Sequence, residues 1–165
     1  MRIMAEGYDR KKNAWLKYNE SQRQELFAPT EGYKDFISKC KTERECALEV
    51  IKMAREEGFA DLNSVDSLKP GDKVYYNNMD KAVALFVIGE RPLEDGMKLL
   101  GAHIDSPRID LKQVPLYEDT EMALLDTHYY GGIKKYQWVT LPLAIHGVVV
   151  KKDGTKITVV IGEED

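Results

Sequence analysis

Three histidines, His103, His128 and His146, are the side chains of this 165-residue chain best suited to acid–base or metal chemistry. An imidazole titrates near neutrality and is the commonest protein ligand for a metal ion. His103 is set apart by its surroundings, because Asp105 follows two residues later and Ser106-Pro107 comes directly after. In an extended strand, residues two apart project to the same face, so an imidazole and a carboxylate at this spacing point one way. A neutral imidazole that ligates a metal through one nitrogen usually donates its other N–H to a carboxylate. On that chemistry Asp105 would be the carboxylate beside a metal-bound His103. Taken alone, a His-x-Asp triplet also fits an ordinary polar strand end.

The other two histidines sit in different settings. His128 precedes Tyr129-Tyr130-Gly131-Gly132 in an expected loop, where either a functional side chain or a plain connecting residue is found. His146 lies inside an apolar run and reads as a hydrogen-bonded structural histidine.

The elements that must position these residues follow from the periodicity. Pro29-Thr30-Glu31-Gly32 predicts a turn, after which Tyr33, Phe36, Ile37 and Cys40 recur at helical spacing. Thr42 with Glu45 three residues on predicts a capping box; Cys46, Val50, Met53 and Ala54 mark one apolar stripe, and Gly58 supplies a left-handed stop. Lys73 to Tyr76 predicts a short strand, Asn77-Asn78 a turn, and Ala82 to Gly89 a strand covered on both faces. Met97 to Asp105 predicts a second buried strand that carries His103 and Asp105 at its carboxyl end, the end at which open α/β sheets bind ligands. Arg108 to Tyr130 reads as a long irregular stretch containing Pro115, and Tyr136 to Val150 as an extended run. Lys152-Asp153-Gly154-Thr155 predicts a primed hairpin turn, with Ile157 to Ile161 returning. The expected fold class is therefore α/β, with a domain boundary near Pro107 that separates residues 1–107 from a β-rich segment at 108–165.

Composition excludes several functions. Lys and Arg number 24 against 28 Asp and Glu, and the net charge of −4 is spread without a basic block, which argues against nucleic acid as a partner. Arg10-Lys11-Lys12 reads as a solvated helical face. No run reaches the ~18 apolar residues a membrane helix requires, and Met1 to Gly7 lacks the apolar core of a signal peptide, so the expected location is cytoplasmic. Cys40 and Cys46, six apart, match no two-residue metal or redox spacing and read as buried, inert thiols. The apolar return strand at 157–161 leaves an edge for another chain to cover, so association is expected.

A longer ordered string adds a family to this reading. Gly101-Ala102-His103-Ile104-Asp105-Ser106-Pro107-Arg108, then Tyr130-Gly131-Gly132, Tyr136-Gln137-Trp138 and Leu143 to Val150, resembles the M18 metalloaminopeptidases, the aspartyl aminopeptidase group. The resemblance extends to the segment around Trp15 and Tyr18. It implies a zinc exopeptidase with an α/β catalytic domain, into which a β-rich dimerisation domain is inserted just after the His-x-Asp-Ser-Pro strand. It also implies a peptide substrate, acidic first residues as one known preference, a homo-oligomer, and a two-metal centre in which His103 binds one zinc and Asp105 orients the site. The family's bridging Asp, Glu-Glu pair, further Asp and last His match no position here. Glu163-Glu164 follows the second strand of a hairpin with no such Asp before it and reads as a charged turn. The expectation is thus the amino-terminal portion of an aminopeptidase, inactive alone. The alternative is a non-catalytic remnant or assembly subunit that keeps the dimerisation surface.

Overall fold

The computed structural model describes residues 14–163; the basic cluster at 10–12, the opening segment at 1–7 and Glu164 lie outside them. The chain divides into two compact units after Ser38.

In the first unit, helix α1 spans Glu20–Lys39 and so reaches the start of the second. Asn19 and Gln22 cap it reciprocally: the Gln22 amide donates to Asn19 Oδ1 at 2.9 Å and the Asn19 amide to Gln22 Oε1 at 3.0 Å. Trp15 stacks on Phe27 and meets Tyr18 edge-on, with centroids 6.0 and 6.2 Å apart. The turn expected at Pro29 is not there, because α1 runs through it. Proline removes one backbone donor, but Thr30 Oγ1 adds a bond to the Leu26 carbonyl at 3.2 Å, and helix-compatible residues on both sides carry the helix onward.

The second unit is mixed α/β. Helix α2, Glu43–Glu56, starts at the expected capping box: Thr42 Oγ1 accepts from the Glu45 amide, while Glu45 Oε2 accepts from the Thr42 amide at 2.9 Å. The helix ends before Gly58, whose φ of 83° is the left-handed stop. Its buried stripe is Cys46, Ala47, Ile51 and Ala54, whereas Met53 is exposed. The helix lies against a three-stranded sheet in which β1 (Ala60–Asp61) pairs parallel with β2 (Lys73–Asn78), and β2 antiparallel with β3 (Ala82–Val87). Val74 and Tyr75 of β2 complete the core beside α2, and Arg55 donates to the Tyr75 hydroxyl from Nε at 3.0 Å and from Nη2 at 2.6 Å. Cys40 and Cys46 are buried free thiols, as expected, and burial pushes the Cys40 thiol up to about 11.

Several expected elements are placed differently. Asn77 and Asn78 belong to β2, and the turn falls at Met79 and Asp80, both at positive φ; the Asn77 side chain organises it by accepting from the Asp80 amide at 3.0 Å. Strand β3 is not covered on both faces, since Leu85, Phe86 and Val87 are all exposed. No strand forms over 97–105 and Leu99 and Leu100 are exposed: among the described residues no segment pairs with this one, and an extended backbone without a ladder partner is not a strand.

Arg108 to Tyr130 is a hairpin, β4 (Arg108–Asp119) and β5 (Met122–Tyr130). Pro115 falls in its unpaired bulge between Leu111 and Leu116, the place where a missing donor costs no ladder bond. The tight turn uses Thr120 and Glu121 at positive φ, residues that carry no turn signal. The run after Tyr136 splits into a short helix α3 (Lys135–Trp138) and strand β6 (Ile145–Val150), which pairs with β7 (Lys156–Ile161). In the connecting loop only Gly154 has positive φ, so this is a wider loop than the expected primed turn. Among the described residues no helix is long and apolar enough to cross a membrane.

The first turn of α2 ties both hairpins to the sheet. Glu43 faces Arg108 of β4 at 3.5 Å, and Arg44 faces Asp80, which Lys156 of β7 bonds at 3.1 Å. Glu45 bonds His146 of β6 at 2.7 Å.

Candidate active site

The segment Gly101 to Pro107 holds the expected pair, and the two side chains meet without a strand to align them. Nδ1 of His103 lies 2.9 Å from Asp105 Oδ1 and 2.8 Å from the Asp105 carbonyl oxygen. Both are acceptors, so Nδ1 carries the proton and Nε2 is left as the free nitrogen. The ring is 80% exposed while the Asp105 side chain is only 19% exposed, so the carboxylate is the fixed member of the pair.

Asp105 lies beside the β4–β5 hairpin. The Tyr130 hydroxyl chiefly, with the charge of Arg108, holds its carboxyl below the ordinary value, and the carboxylate in turn pushes the Tyr130 phenol up. The Arg108 guanidinium lies over the Tyr130 ring at 4.3 Å and is held from behind by Asp110 at 2.7 Å. Gly131, at φ 73°, brings its backbone against Pro107, where an added Cβ would sit 3.4 Å from the proline ring. His103, Asp105, Ser106, Pro107, Tyr130 and Gly131 line a cavity of about 250 Å³. A larger hollow of about 510 Å³ near Gly58 and Gly71 carries less chemistry. There Lys73 is committed to the Glu57 carbonyl and Asp72 to the Lys69 amide.

His103 and Asp105 are in contact, and Tyr130 and Arg108, which the sequence reading did not single out, stand beside them. Their signals were present, since Arg108 ends the Gly-Ala-His string and Tyr130 opens the Tyr-Gly-Gly one. His128 is not brought to this cavity. It stands on β5 opposite Asp110, exposed, with Nδ1 on the Tyr129 carbonyl at 3.2 Å.

His146 is hydrogen-bonded on both nitrogens, as its structural reading required. Nδ1 meets Glu45 Oε1 and Nε2 meets Glu163 Oε1, each at 2.7 Å. Glu163 thus lies in the bend after β7 with a partner of its own. Burial pulls His146 down, but the two carboxylates outweigh it and the imidazole is raised above its ordinary value. Its contribution to stability is therefore full below the unfolded-state value of about 6.5 and lost as pH rises through the folded-state value. Thermal unfolding between about pH 5.5 and 8.5 should show this loss, on the order of 1 kcal/mol because Glu163 is well solvated. His146→Gln should flatten the profile, and an unchanged profile would remove the clamp.

His103 suits one position of a metal site, since its Nδ1 is committed and its Nε2 free. Among the described residues no group of three His, Cys, Asp or Glu side chains is placed to hold a metal ion.

Comparison with known proteins gives a family. Residues 36–165 match the family model described as aminopeptidase I zinc metalloprotease (M18). A Clostridium acetobutylicum protein named "Probable M18 family aminopeptidase 1" is 61% identical over 158 residues, covering 93% of this chain and 34% of that protein. The crystal structure of aminopeptidase I from Borrelia burgdorferi superposes with a TM-score of 0.87 at 44% identity, over 93% of this chain and 39% of that one. That of aminopeptidase I from Clostridium acetobutylicum gives 0.79 at 61% identity, over 93% and 35%. The chain thus spans about a third of the length of the curated relatives it matches.

Proposed function

The chain belongs to the M18 family of aminopeptidases, and from that premise we propose that it supplies one arm of a zinc-dependent site that removes amino-terminal residues from peptides. The observation that carries this reading is the His103–Asp105 contact of 2.9 Å, which protonates Nδ1 and leaves Nε2 for a metal. A bound zinc ion supplies Lewis-acid activation of the scissile carbonyl. The chain's own residues do the positioning: His103 presents Nε2 and Asp105 holds the ring in one tautomer. One imidazole does not make a catalytic zinc site, which ordinarily takes three protein ligands. The chain by itself is accordingly inactive, and the remaining donors and the general base come from sequence that matches no position here.

The same reading assigns residues 1–107 to the peptidase domain and 108–165 to the start of a β-rich dimerisation domain in a cytoplasmic homo-oligomer. It is supported by the four strands β4 to β7 beyond Pro107, by the exposed Val160 and Ile161 of β7, and by two thiols left free.

A chimera tests the activity. Residues 36–165 are exchanged into the matching segment of the Clostridium acetobutylicum relative, and hydrolysis of fluorogenic aminoacyl substrates, acidic and neutral, is followed with and without a chelator. Activity that chelation removes and zinc restores is expected, on acidic or on neutral substrates. A folded chimera without activity would favour the non-catalytic reading.

A further inference from the structure

Building on that reading, we propose that Gly131 and Pro107 form a positioning joint: the left-handed turn at Gly131, seated on the Pro107 ring, fixes the direction in which the segment carrying His103 and Asp105 leaves the β4–β5 hairpin. That segment, 97–107, belongs to no strand and has no ladder partner among the described residues. Its carboxyl end runs directly into β4, which starts at Arg108. The junction with β4 therefore decides where the pair points.

The end of the ladder explains why a joint forms here. Arg108 and Tyr130 are its outermost pair, and the next register position would set Pro107 opposite Gly131. No rung forms there, because proline has no N–H to donate and Gly131, at φ +73°, has left the extended conformation. The two residues meet by contact instead: a Cβ on Gly131 would stand 3.4 Å from Cα, Cβ and Cγ of Pro107. Among the described glycines only Gly131 and Gly162 have any atom within 4 Å of that position, so Gly131 serves a close approach as well as a turn. The path from the joint to the site is short. The Pro107 ring locks its own φ and holds Ser106 in extended backbone; Asp105 comes next, and it meets His103 Nδ1 at 2.9 Å. Gly131 and Pro107 also line the same cavity as the pair. Without the left-handed turn, the chain after Tyr130 runs on extended, the seat beside Pro107 is lost, and the segment swings about its junction with β4.

The test reads the backbone of the metal-free chain. Amide order parameters of Ile104, Asp105 and Ser106 are measured by ¹⁵N relaxation in wild type, Gly131→Val, Gly131→Asn and Gly132→Ala. Wild type is expected at about 0.85, the value of rigid backbone, and Gly131→Val below about 0.6, because a β-branched residue is all but excluded from positive φ. Asparagine adopts the left-handed region far more readily, so Gly131→Asn should recover the rigid value. Gly132→Ala, whose added Cβ meets nothing within 4 Å, should keep it. Rigid values in a folded Gly131→Val, low values in wild type or in Gly132→Ala, or no recovery in Gly131→Asn each overturn the proposal. Should Gly131→Val not fold, Pro107→Ala decides: it frees φ on the other side of the joint and must bring the same loss, and rigid values there overturn the proposal as well. Failure here leaves the peptidase reading standing, because no zinc or substrate enters the measurement. An inactive chimera in which the order parameters still respond would instead refute the peptidase reading alone.

Discussion

In the zinc-loaded chimera, His103→Ala is expected to lower kcat/KM by more than about 100-fold. Loss of a partner behind a metal ligand commonly costs 10–100-fold in affinity or activity, and loss of the ligand exceeds it. His103 is the only imidazole at the cavity it shares with Asp105, Tyr130 and Gly131; His128 and His146 bond elsewhere. No described side chain is therefore placed to substitute for it. Asp105→Asn should fall within the 10–100-fold range, because an amide still meets Nδ1 but no longer neutralises the ring. Zinc content measured on the same samples separates the two roles: His103→Ala should lose metal, while Asp105→Asn should retain most of it at high zinc. Activity within a few-fold of the parent in His103→Ala would end the assignment.

The second large effect concerns stability. Tyr75→Ala is expected to cost about 3–5 kcal/mol, the range for deleting a buried aromatic side chain. Tyr75 is 2% exposed, beside Val74 in the small core that α2 closes with Cys46, Ala47, Ile51 and Ala54. Its hydroxyl also accepts both Arg55 bonds, at 3.0 and 2.6 Å. Since domains are stable by only about 5–15 kcal/mol, the variant should be largely unfolded or shift its denaturant midpoint far down. Tyr75→Phe keeps the ring and should cost about 1 kcal/mol, because solvent-exposed Arg55 finds water instead. A Tyr75→Ala cost below about 1.5 kcal/mol would show that the core does not centre on this ring.

Local chemistry was legible wherever the partners lie within a few residues of each other. The Thr42–Glu45 capping box and the Gly58 stop each close over at most three residues and appear as read, and the His103–Asp105 contact forms even without the strand expected to align it. Readings that required a distant partner fared differently. An apolar run at 97–105 satisfies the pattern of a buried strand, but a strand exists only where another backbone takes its hydrogen bonds, and none of the described segments does. The β4–β5 hairpin was hidden for the opposite reason: its turn uses Thr120 and Glu121 at positive φ, and its Pro115 is harmless only because the bulge leaves it unpaired.

The sequence by itself determined that an imidazole and a carboxylate stand two residues apart and within reach of each other, because residue type and a short spacing limit which atoms can meet. It also carried the family, through strings whose order along the chain is specific. Only the tertiary structure decided what surrounds that pair. Tyr130 lies 25 residues beyond Asp105 in the chain and lines the same cavity only because the hairpin folds back to pair Tyr130 with Arg108. Glu45 and His146 meet across a separation of 101 residues. Such contacts depend on where the backbone returns to itself, which is set by packing and long-range pairing rather than by any local pattern of residues.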